Sequence, residues 1–348
     1  MFSARKGNLV AFFFVLHFIF ASFIVVYIAT KLFHITDEIH QIALSQIFLV
    51  FLPVVYYFLF VKTPIKDTLR LNTTHIANYF LSALLAIAIL PSVMLINVVS
   101  QFFVEQALSE TLAHIGDYNY FYVILVIAVF PAVFEEMIAR GIILSHFRHR
   151  SYIVASLMSG FFFGMMHLNI NQFLYAFVLG FVFSLVVHLT GSIVCTMLMH
   201  FIINGVNVSF AYLATSDFFK ALSEAQNVSV LNMDQQELLL QALPIVIFLV
   251  VMSLPFVFLA FYGLIAVNGK SKLVFKPTPS YAFFIPQKNY EAIIATQGET
   301  KELNASIIEE LSENAFIQKN QKETVITLPL ILTTIVFIAI SVLNELNR

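Results

Sequence analysis

The chain has 348 residues, of which 60% are hydrophobic and 11% charged, with a formal net charge of -2. A water-soluble fold is excluded, because its surface would need far more charge, and a mean hydropathy of +0.90 fits a polytopic membrane protein. The near-neutral balance has no single basic patch and gives no sign of nucleic acid as a partner, while a lone cysteine, Cys195, leaves neither a disulfide framework nor a cysteine-based zinc site.

Apolar runs of about 18 to 25 residues can cross ~30 Å of hydrocarbon as helices. The predicted fold is all-α, a transmembrane bundle of about nine spans at residues 8–30, 41–61, 78–100, 120–145, 151–168, 171–189, 192–213, 242–267 and 324–343. The first run is too long for the apolar part of a signal peptide and is expected to stay as an anchor. Five regions follow: N-terminal helices at 1–119, a core at 120–213 formed by spans four to seven, an outer loop with the eighth span at 214–268, a cytoplasmic polar segment at 269–323, and the ninth span with its tail at 324–348. Within the polar segment, Leu303, Ile307 and Leu311 line one face of a helical pattern between Lys301 and Phe316, most simply a small surface helix on a solvated linker.

Cytoplasmic connections retain Lys and Arg. With the N-terminus inside, 15 of the 18 fall on that side, leaving Lys31, Lys220 and Arg348. The expectation is a cell-membrane protein, bacterial in type, with a cytoplasmic N-terminus and an outward C-terminus.

Of the 20 acidic residues, only Glu135 and Glu136 fall inside a predicted span. An ionised group at the bilayer centre costs roughly 2.5 to 3.5 kcal/mol, so the pair calls for a chemical reason. Glu136 and Arg140, four residues apart, share a helix face and can pair, while Glu135, about 100° round, is expected to point elsewhere and be free to act. The fifth span supplies Phe163 and His167, beside a stripe of small residues at Ser156, Gly160 and Gly164 that permits close helix approach. In the seventh, His200 and Asn204 share a face. Counted from the turn near Arg150, Glu135 is 15 residues before and His167 is 17 after, so antiparallel helices would bring them to similar depth. His17 and His188 lack partner motifs and are expected to be structural, as is Cys195; Asn97 and Asn207 are expected to bond across helices.

Glu135-Glu136-xxx-Arg140, Phe163-xxx-His167 and His200-xxx-Asn204 are similar, in order, to the three signature motifs of the CPBP family of intramembrane proteases. That family includes type II CAAX prenyl endopeptidases and relatives linked to bacteriocin immunity. The resemblance implies hydrolysis of a peptide bond in a membrane-associated peptide or protein. Glu135 would act as general base with His167, His200 and Asn204 would stabilise the oxyanion, and Glu136, Arg140 and Phe163 would support the site. Glu135, His167 and His200 could also hold Zn2+, but the His-Glu-x-x-His signature of zincins is absent, so a route without metal is preferred. Two rivals are a non-catalytic immunity or scaffold protein and a proton-coupled transporter, for which no internal duplication is found.

Overall fold

A computed structural model describes residues 2–104, 115–216, 235–269 and 324–346. Among these the regular structure is entirely helical: α1 (Ala4–Lys31), α2 (Glu38–Val61), a short α3 (Ile65–Leu69), α4 (Ile76–Gln101), α5 (Tyr120–His146), α6 (Tyr152–Met166), α7 (Ile170–Thr190), α8 (Ile193–Ala214), α9 (Gln235–Asn268) and α10 (Leu328–Leu346). Seven of them (α1, α2, α4, α5, α7, α8 and α9) are long and apolar enough to cross a membrane. The expected fifth and ninth spans are also helices, but shorter, α6 having only 15 residues. The surface helix anticipated at 301–316 lies outside the described residues.

Large apolar side chains cover the periphery, with Phe60 at 81% and Phe23 at 71% exposure. Only a hydrocarbon solvent makes such a surface favourable, so this is an integral membrane protein. Without a hydrophobic drive between helices in lipid, close packing and buried polar contacts must hold the bundle together. Asn78 of α4 and Asn268 of α9 exchange amide hydrogen bonds, at 3.0 and 2.7 Å. Asn8 of α1 donates to the Val325 carbonyl and the Thr327 hydroxyl beside α10, both at 2.7 Å.

The α6–α7 hairpin shows the small-residue stripe in use. A Cβ on Gly160 would lie 2.7 Å from the Phe177 carbonyl oxygen, and one on Gly180 would lie 2.6 Å from the Gly160 Cα. Gly180 is the partner that the spacing on α6 alone does not reveal. Gly160→Ala is expected to cost about 1 to 3 kcal/mol by forcing the two backbones apart. Gly205→Ala, whose Cβ would touch only the Ala128 methyl at 4.0 Å, serves as the control in thermal unfolding in detergent.

Two of the long helices are interrupted by π-turns, Gln46–Phe51 in α2 and Leu125–Val129 in α5, each ending just before a proline. Proline offers no N–H to the preceding turn, so nearby carbonyls need other donors in a membrane. In α2 the Leu52 N–H reaches back five residues to Ile47, and the next bond in that series, from Pro53 to Phe48, cannot form. His17 Nε2 lies 3.0 Å from the Phe48 carbonyl and takes that place, giving His17 the structural role its sequence context suggested.

At the end of the bundle away from Arg148, Asp37 caps α2 and ties it to the approach to α5. Its Oδ1 accepts the His40 N–H at 3.1 Å and its Oδ2 accepts the Tyr118 hydroxyl. Burial acts to raise the Asp37 pKa, but the hydrogen bonds from Tyr118 and His40 outweigh it and hold the carboxyl below its usual range. A depressed folded-state pKa contributes stability above the unfolded value of about 3.9, lost as pH falls through the folded one. The difference in melting temperature between wild type and Asp37→Asn should therefore be present at neutral pH and vanish in strong acid.

Candidate active site

The site is built on α5, where Glu135 and Glu136 end a short α-helical stretch, Phe130–Glu136, between two π-segments, Leu125–Val129 and Met137–Ile143. Such bulges re-aim side chains and often accompany function. Glu136 turns inward. Its Oε1 lies 2.8 Å from Arg140 Nη1, and both side chains are fully buried. None of the three guanidinium nitrogens makes a well-directed hydrogen bond among the described residues. Neutralisation instead comes from the nearby carboxylate and two aromatic faces, with Arg140 Cζ 4.2 Å from the Phe163 ring centre and 5.0 Å from that of Phe183.

His200, on α8, joins the two carboxylates. Its Nδ1 is 3.0 Å from Glu136 Oε1, so that nitrogen donates its proton to the carboxylate and fixes the ring. Its Nε2 lies 3.9 Å from Glu135 Oε2, too far for a direct hydrogen bond but close enough for one water to touch both atoms. Glu135 is therefore separate from Arg140 as expected, yet it shares His200 with its neighbour. Its other oxygen accepts from Gln46 Nε2 at 3.5 Å.

Phe163 and His167 arrive on α6, whose Ser159 hydroxyl donates to the Ala139 carbonyl at 2.9 Å. In an antiparallel pair that register sets Phe163 level with Glu135 and His167 about one turn, ~5 Å, beyond it. The similar-depth estimate thus holds to roughly one turn. The Phe163 ring packs edge-on against both imidazoles, at 5.1 Å from His167 and 5.9 Å from His200. His167 closes the end of α6, and its Nδ1 lies 2.9 Å from the Phe163 carbonyl. That bond places the proton on Nδ1 and leaves Nε2 as an acceptor. The next residue, Leu168, has a left-handed backbone with φ 50°, a conformation disfavoured for a bulky side chain, and its carbonyl accepts from Asn344 of α10 at 3.1 Å.

Asn204 lies one turn beyond His200 on α8. Its Nδ2 donates at 3.1 Å to the carbonyl of Ile127, inside the π-segment Leu125–Val129 that precedes Pro131. The second hydrogen of that amide is available for another acceptor. The candidate zinc ligands are of suitable type, but among the described residues no three His, Cys, Asp or Glu side chains are grouped as a metal site. Glu135 and His200 adjoin, whereas His167 bonds only within its own helix.

Gln46 and Phe183 escape a motif search. Gln46 is a polar side chain well inside the second apolar run, which is a detectable signal, whereas nothing marks Phe183 among 39 phenylalanines.

A carboxylate pair clamped by arginine and histidine at the centre of a polytopic helical bundle defines a membrane protein with a built polar site. Residues 117–206, about a quarter of the chain, match the family model described as type II CAAX prenyl endopeptidase Rce1-like, so this part of the chain is similar to that family. The match spans Glu135, Glu136, Arg140, Phe163, His167, His200 and Asn204. No curated protein and no solved structure matches the chain.

Proposed function

We propose that this protein is an intramembrane endopeptidase that hydrolyses a peptide bond of a membrane-associated peptide or protein with water activated by Glu135. The observation that carries this reading is the 3.9 Å separation of Glu135 Oε2 and His200 Nε2, with the second carboxylate of the pair already engaged by Arg140. A water held there gives a proton to Glu135 and attacks the scissile carbonyl carbon. The oxyanion receives a hydrogen bond from His200 Nε2 when that nitrogen is protonated, and from the second Asn204 N–H. Glu135 then passes the proton to the departing amide nitrogen, and the C–N bond breaks to give an acid and an amine. His167, with Nδ1 fixed on Phe163, offers Nε2 as an auxiliary proton acceptor. A bound zinc ion would polarise the carbonyl and acidify water, but Glu135, His167 and His200 are not grouped to hold it, and no step here depends on it.

The charge bias supports a cytoplasmic Arg148 end of the bundle, and a substrate would meet Glu135 at the depth of the membrane-crossing helix that carries it. The test uses protein reconstituted in liposomes, presented with a farnesylated peptide ending in a CAAX sequence and with its unprenylated counterpart, and mass spectrometry of the fragments. His167→Ala and His200→Ala should each lower turnover at least about 100-fold, the usual range for an acid–base group. No cleavage of either peptide by the wild type would remove the hydrolase reading in favour of a scaffold, and cleavage unchanged in both variants would remove His167 and His200 from the mechanism.

A further inference from the structure

The family motifs account for α5, α6 and α8, but one side chain at the carboxylate comes from outside them. Gln46 sits where α2 enters its π-turn, and its Nε2 donates to Glu135 Oε1 at 3.5 Å. Its own Oε1 is buried and has no hydrogen-bond partner among the described residues. A buried amide oxygen left without a donor costs about 1 to 3 kcal/mol, so the orientation needs a reason. The carboxylate explains one half of it: an ionised carboxylate can only accept, so the amide must turn its NH2 group toward Glu135.

The backbone makes the placement specific. The π-turn begins at Gln46 and ends before Pro53, and the Phe48 carbonyl it exposes is held by His17 of α1. Phe51 packs on Phe134, the residue before Glu135, with ring centres 4.9 Å apart. A rotation of α2 would break both contacts. Gln46 is therefore held against Glu135 from two sides, as a residue that fixes a reacting group must be.

We propose that Gln46 is a positioning residue for Glu135, holding Oε1 so that Oε2 faces His200. This rests on the hydrolase reading. In that arrangement Glu135 is bonded on one oxygen and reactive on the other.

Two measurements on the full-length protein test this. Gln46→Met keeps length and bulk but removes donor and acceptor; kcat should fall about tenfold, the scale of one hydrogen bond, with KM within twofold of wild type. Independently of catalysis, Gln46→Glu should lower the melting temperature in detergent by opposing two carboxylates, and adding Glu135→Gln should recover it. Recovery together with the kcat loss supports the proposal. Recovery with Gln46→Met as fast as wild type overturns the positioning role, and failure of recovery overturns the contact itself. A wild type inert toward both peptides, with recovery intact, overturns the hydrolase reading and with it any catalytic use of the contact, while an active wild type confines a negative result to Gln46.

Discussion

Glu135→Gln is expected to reduce hydrolysis about 100- to 10,000-fold, the range seen when a general base is removed, with little change in stability. The substitution keeps the shape of the side chain and its exposure, and the replacement amide can still meet Gln46 and lie against His200. It loses the ability to take a proton from water. The two effects should therefore separate. Fragment analysis of the reconstituted protein should show product formation near background, while the melting temperature in detergent stays within a few degrees of wild type. Substantial activity in Glu135→Gln would move the base to His167 or His200, or dismiss the chemistry altogether.

Arg140→Leu should fail for the opposite reason. It leaves Glu136 fully buried beside His200 with its closest cation gone. Removing one partner of a buried ion pair costs about 3 to 5 kcal/mol, a large share of a typical fold's stability. The expected result is loss of folded protein from the membrane fraction, read by yield and by size-exclusion profile in detergent. Replacing both charges, Glu136→Gln with Arg140→Met, should be milder than the single change, because no uncompensated charge is left. Arg140→Lys should rescue only in part, since an ammonium cannot lie flat between Phe163 and Phe183 as the planar guanidinium does. Activity is expected to follow the folded fraction in this series, which distinguishes a supporting residue from a reacting one.

How legible was all this in the amino acids? The helical class followed from apolar run length alone, because lipid leaves the backbone few other options. All nine runs became helices, and the ambiguity fell on α6, only 15 residues long, and on α10, whose apolar stretch runs only from Leu328 to Asn344. The Glu136–Arg140 pair followed from a four-residue spacing, a local fact about helices. What spacing could not convey was contact between distant segments. Gln46 lies 89 residues from Glu135, and only packing brings them together. The role of Asn204 was also hidden: its bond goes to the carbonyl of Ile127, 77 residues away, inside a π-segment of another helix. The π-turns were not legible from proline alone, since Pro91, Pro244 and Pro255 sit inside helices that have none and the Met137–Ile143 segment has no proline.

The hydrogen bond from Asn344 to the Leu168 carbonyl joins positions 176 residues apart. A ribosome delivers the left-handed corner behind His167 long before it delivers the side chain that latches it, so the corner spends the interval without its clasp. Closure of that corner therefore waits on the arrival of α10. A nascent chain still leaving the translocon would carry Glu135, His167 and His200 while the corner beside His167 still lacked its bond from Asn344.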